Sequence, residues 1–108
     1  MTFQERAEQL AAEMTLEERA LMLCFDSPPV KRLGIPAYHW WNEGLHGVAR
    51  AGTATMFPQA IAMAAMFDAD EMEKIGDIIS TEARAKFNAS RAEGDYDIYK
   101  GLTLWSSN

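Results

Sequence analysis

The sequence predicts an α/β architecture, mostly helical with about two short parallel strands. Two blocks of helical periodicity, residues 3–24 and 58–90, flank an aromatic stretch punctuated by glycine and proline. A second short apolar run, "LTLW", follows the later helices. A strand, a helical crossover and a strand imply parallel pairing, because two parallel strands need a long connection.

The elements follow in order. Over residues 3–13, Ala7, Leu10 and Ala11 recur at helical spacing, with Met14 continuing the stripe and Glu and Gln between. Thr15 and Glu18 have the spacing of a capping box, which starts a second helix over 16–24. The prolines of "DSPP" forbid its continuation. "LGIPAYHWW" leads into a short strand at 37–41. Residues 42–58 read as an irregular, glycine-rich connection, long enough to be functional or mobile. "PQAIAMAAMF" restarts a helix with Pro58 in its first turn. Asp68 or Asp70 caps a long helix over 69–90, whose stripe is Met72, Ile75, Ile79, Ala83 and Phe87. "AEGDYDIYKG" breaks that pattern before the second strand. Two strands do not make a stable sheet alone, so further strands are expected beside them.

At 108 residues one domain is the ceiling, and 48% apolar residues suffice for a core. A net charge of -6 without any basic run argues against nucleic acid and against an anionic membrane surface. No apolar run approaches the roughly 20 residues that span a bilayer. The N-terminal stretch has no apolar signal-peptide core, so a cytoplasmic location is expected. Cys24 is the sole cysteine, which excludes an intramolecular disulfide, and its apolar setting reads as a buried thiol.

Chemistry concentrates in "YHWWNEGLHGVARAG", residues 38–52. Glu43 reads first as a solvated loop acid. The alternative is an acceptor for sugar hydroxyls, since sites in parallel α/β folds gather at strand C-termini. Trp40 and Trp41 are expected on opposite faces of the strand, one in the core and one at a pocket mouth. His46 reads as bonded to the loop backbone. A metal site would need three or four convergent ligands, and His39 is the only other histidine, so no metal and no cofactor is expected. Gly44, Gly47 and Gly52 fit no phosphate-binding pattern and suit tight turns. Tyr96 and Tyr99 read as partly covered loop residues, and Arg50 and Arg84 as partners of nearby acids.

The stretch "RLGIPAYHWWNEGLHGVARAGTATMFPQAIAMAAMFD" closely resembles the start of the catalytic domain in glycoside hydrolase family 3, nearest its β-xylosidase and β-glucosidase branch. "MTLEERALML", "EARAKFN" and "GLTLWSSN" resemble further landmarks, so the likeness covers nearly the whole chain. It implies a (β/α)8 barrel, of which residues 1–108 would supply only the first strands and helices, since a barrel takes about 250 residues. It also implies retaining, exo-acting hydrolysis of terminal β-D-xylosyl or β-D-glucosyl residues, with an aspartate nucleophile and a separate acid/base residue.

By the same resemblance Glu43 is substrate-binding, matching the acidic position that contacts the terminal sugar. Trp41, His46 and Gly47 are expected to shape that loop. Many β-glucosidase members carry Asp where Glu43 stands. The extra methylene would intrude on a hexose hydroxymethyl group and tilts the expected substrate towards a pentose. The nucleophile, the acid/base residue and the other sugar-gripping positions lie downstream in the family, so no catalytic residue is assigned and the chain alone is expected to be inactive. Gly44 stands where the family commonly has Ala, and Ser107 where it commonly has Pro. The expected partners are a β-linked xylo- or gluco-oligosaccharide and, through exposed barrel edges, another copy or a complementing chain. The alternative reading is a non-catalytic interaction module that docks on a chain carrying the rest of the barrel.

Overall fold

The structure, a computed structural model, describes residues 1–106. Ser107 therefore lies outside the described residues. The chain divides into two compact units, Met1–Tyr38 and His39–Asn108.

In the first unit, α1 spans Phe3–Glu13 and α2 spans Leu16–Leu21. Both start at capping boxes. Thr15 accepts from Glu18 N while the Glu18 carboxylate accepts from Thr15 N, and Thr2 with Glu5 repeats the arrangement. Helix α2 stops three residues short of the expected 24. The chain turns through 22–25, and the buried Ser27 hydroxyl donates to the carbonyls of Met22 and Cys24. Those carbonyls thus find a partner outside a helix. The same turn exposes Cys24, so the expectation of a buried thiol is overturned. Neither helix buries a residue, and Phe3 is 98% exposed. A cap contributes only about 1 kcal/mol, and helices this short are marginal without an apolar face packed against something. Strand β1, Asp26–Ser27, and a 3-10 turn at Lys31–Leu33 complete this unit, and Arg32 bonds the Glu18 carboxylate at 3.0 Å from Nε. A short strand, β2, Tyr38–His39, runs across the division between the units.

The second unit holds β3 (Asn42–Glu43), α3 (Ala60–Ala64), α4 (Ala69–Ala92) and β4 (Leu104–Trp105). Strands β3 and β4 pair in parallel, as the crossover requires, with Asn42 opposite Leu104 and Glu43 opposite Trp105. Asp68 caps α4 through Glu71 N, which settles the choice between Asp68 and Asp70. Pro58 stands before the α3 cap, Gln59, rather than inside the helix. The core joins Ile75, Ile79 and Ala83 of α4 to Met63 of α3 and Val48 of the connection, with Met72 and Leu104 packed against it. Phe87, the last residue of the expected stripe, leaves this cluster. Its ring lies under the Arg91 guanidinium at 4.5 Å, with Arg84 at 5.9 Å.

The aromatic stretch departs most from expectation. No single strand covers 37–41, because Trp40 and Trp41 fall between β2 and β3. The cause is local competition for backbone groups. The Asn42 amide donates to the His39 carbonyl at 2.9 Å, and Trp41 N donates to His39 Nδ1 at 3.3 Å. Both tryptophans are exposed, at 43% and 54%, so neither is the expected core residue.

Candidate functional site

Asn42 is the keystone beneath the site. Its side chain is fully buried, donating to the His39 carbonyl and accepting from Gly101 N at 2.8 Å. That second bond ties the residues before β4 to β3. Tyr99 N adds another tie, donating to the Trp41 carbonyl at 3.1 Å, and Gly44 N donates to the Trp105 carbonyl at 2.9 Å. The sequence reading assigned Asn42 no role. Its only signal was an amide directly after two tryptophans.

Glu43 is therefore a strand residue, the last of β3, rather than a loop acid beyond it. It is half-buried, and its Oε2 lies 3.1 Å from Arg50 Nη1. Arg50 in turn stands over the Tyr99 ring, 5.1 Å from its centroid. The pairing of Arg50 with an acid is as expected. Glu43 and Arg50 line a cavity of about 210 Å³ with Leu45, His46, Gly47, Ala49 and Met56. The cavity thus brings together Glu43, His46 and Gly47. Trp41 is not in its lining, and its carbonyl accepts from Tyr99 N. Trp105, read from the sequence as strand alone, stands in register beside Glu43 and is 68% exposed. A larger groove of about 600 Å³, lined by Leu45, His46, Gln59, Ala60, Ile61 and Ala64, carries no acid and is the poorer candidate for polar recognition.

The connection after Glu43 is held down. Gly47 has φ +114°, and a Cβ there would stand 2.3 Å from the Thr55 carbonyl oxygen, so glycine is required. The His46 carbonyl accepts from Phe57 N at 2.8 Å. Two side chains one turn apart on α4 reach the same connection. The Glu82 carboxylate accepts from Thr55 N at 3.1 Å and from Thr55 Oγ1 at 2.7 Å, and Lys86 Nζ donates to the Val48 carbonyl at 2.8 Å. Burial pushes the Lys86 amine below its ordinary pKa, and Glu82 partly offsets this. The sequence reading missed both residues. Their signal was a polar pair flanking the apolar stripe at helical spacing.

Chemically, the arrangement can offer a carboxylate oxygen to a hydroxyl at the end of a parallel strand, with an aromatic side chain alongside. Residues 5–87 match the Glycosyl hydrolase family 3 N terminal domain. The chain belongs to glycosyl hydrolase family 3. Its family 3 relatives include a xylan 1,4-β-xylosidase of Xylanibacter ruminicola, 39% identical over all of this chain and 13% of the relative. A probable β-D-xylosidase 7 of Arabidopsis thaliana is 40% identical over 96% of this chain and 14% of the relative. A probable exo-1,4-β-xylosidase of Aspergillus flavus is 45% identical over 95% and 14%. The chain thus spans about 14% of the length of these family 3 relatives. No solved structure matches it.

Proposed function

We propose that residues 1–108 form the first part of the (β/α)8 barrel of a retaining, exo-acting β-xylosidase, in which Glu43 binds the terminal sugar and the chemistry belongs to other carboxylates. The observation that carries this reading is Glu43 at the C-terminal end of a parallel strand. One of its oxygens faces Arg50, in a cavity smaller than the roughly 300 Å³ at which sites for drug-sized ligands begin. That size suits a single sugar ring. The names of the relatives and the length of the glutamate side chain favour xylose over glucose. Among the described residues Glu43 is the only acid lining the cavity, whereas retaining hydrolysis uses two carboxyl groups about 5 Å apart. The chain by itself would therefore hold a sugar without cleaving it.

The test is to join the chain to the downstream sequence of the Xylanibacter relative and assay aryl β-xyloside and β-glucoside. Glu43→Gln removes a charge-assisted hydrogen bond and should lower kcat/KM by roughly 10- to 100-fold. Glu43→Asp should shift preference towards the glucoside. A Glu43→Gln enzyme within twofold of its parent would defeat the assignment, and enzyme-proportional turnover by the 108-residue chain would defeat the claim that it is inactive alone.

A second reading, a chain that docks onto a separate polypeptide carrying the other strands, is favoured by the exposed apolar side chains. Ile61 is 78% exposed, Phe67 96% and Leu16 83%. Co-purification with such a polypeptide tests it.

A further inference from the structure

We propose that Arg50, stacked on Tyr99, is a positioning residue that aims the Glu43 carboxylate into the cavity. The proposal rests on the reading of Glu43 as a sugar contact and adds what orients it. Three observations point the same way. The closest approach of the ion pair is to Glu43 Oε2, at 3.1 Å; among the described residues no protein hydrogen bond reaches Oε1, which remains able to accept from a hydroxyl. The Arg50 guanidinium is itself held, 5.1 Å from the centre of the Tyr99 ring. Tyr99 is a non-glycine residue with positive φ, at +64°, and its N–H is bonded to the Trp41 carbonyl one residue before β3.

A tyrosine in the left-handed region is strained, and it persists only where its surroundings over-determine it. Here the backbone bond to Trp41 fixes the tyrosine against the base of β3, and its ring meets the guanidinium. The chain of contact therefore begins beside Glu43 in sequence and returns to Glu43 in space. An unsupported surface ion pair would sample many geometries and contribute little. Stacking on the ring removes much of Arg50's freedom, and a planar guanidinium suits that task where an ammonium does not. The result is a carboxylate with one oxygen occupied and the other presented, which a hydroxyl ligand can meet without first displacing a cation.

The experiment uses the full chain, labelled for NMR. The rotation rate of the Arg50 guanidinium is measured in the parent, Tyr99→Phe and Tyr99→Asn, and methyl β-D-xyloside is titrated against these and against Arg50→Met and Arg50→Lys. Asparagine tolerates positive φ, so Tyr99→Asn removes the ring while keeping the backbone geometry. Slow rotation is expected in the parent and in Tyr99→Phe, and fast rotation in Tyr99→Asn. Xyloside affinity should fall roughly three- to tenfold in Arg50→Met and Tyr99→Asn, less in Arg50→Lys, and stay unchanged in Tyr99→Phe. Unchanged amide signals of Asn42 and Gly44 separate this from a folding defect. Free guanidinium rotation in the parent overturns the proposal, as does xyloside affinity in Arg50→Met equal to the parent's. If the parent binds no xyloside, the sugar reading of Glu43 fails, and the rotation rates alone decide whether Arg50 is held by Tyr99.

Discussion

Replacing Asn42 with alanine should undo much of the second unit. The side chain is fully buried and makes two bonds, one to the His39 carbonyl at 2.9 Å and one from Gly101 N at 2.8 Å. Alanine leaves a buried donor and a buried acceptor without these partners, and each costs about 1–3 kcal/mol. The sum, about 2–5 kcal/mol with some relief from entering water, is a large share of the roughly 5–15 kcal/mol that stabilises a whole domain. With a urea dependence near 1 kcal/mol per molar for so small a unit, the unfolding midpoint should drop by about 2 M or more. Hydrogen exchange locates the effect. Gly101, Gly44 and Tyr99 amides should lose protection first, because all three tie the β4 side of the unit to β3. Asn42→Asp sharpens the test. A carboxylate can still accept from Gly101 N but cannot donate to His39 and carries a buried charge, whereas the protonated acid regains a donor. In that variant the folded state binds the proton more tightly than the unfolded state, so its stability should rise as pH falls. An Asn42→Ala midpoint within 0.5 M of the parent would refute the reasoning (about half a kcal/mol on the same slope), as would an Asn42→Asp variant indifferent to pH.

Gly47→Ala should destabilise the unit by about 2–4 kcal/mol, from an unfavourable φ and from overlap with the Thr55 carbonyl 2.3 Å away. Loss of exchange protection at the Phe57 amide, which bonds the His46 carbonyl, is the readout. In the first unit, bonds from Arg32 and then from Thr15 N lower the Glu18 pKa from 4.5 to about 2. A depressed carboxylate pKa stabilises the folded form above the unfolded value, and that stabilisation is lost as pH falls through the folded value. The Glu18 carboxyl signal should therefore titrate near pH 2, and the Thr15 amide should stay protected at pH 4 and lose protection between about 4 and 2. Arg32→Met should move that titration upwards.

Much of the architecture was legible because its causes are local. Thr15 and Glu18 cap α2 within one turn, and Asp68 caps α4 through Glu71. The stripe Ile75, Ile79 and Ala83 records a buried face in spacing alone. Parallel pairing followed from the helical crossover. Family membership was legible for another reason, the long specific block that contains Trp41, Glu43, His46 and Gly47. The errors cluster where side chains compete with the backbone. Trp40 and Trp41 have strand-like composition, yet the Asn42 amide takes the His39 carbonyl and interrupts the strand. Cys24 has apolar neighbours in sequence, yet the turn closed by Ser27 leaves it exposed.

By itself the sequence determined where α1 and α2 begin, which face of α4 is buried, that a parallel pair accompanies the helical crossover and which family the chain joins. The tertiary structure alone decided that Glu43 ends a strand beside Trp105, that Asn42 bonds Gly101, and that Glu82 and Lys86 pin the connection between them. The physical reason is separation along the chain. Caps and periodicity act within a few residues and are written in local order, whereas these bonds join positions 27 to 59 residues apart. Such partners are chosen by the packing of α4 against the strands, which no local pattern encodes.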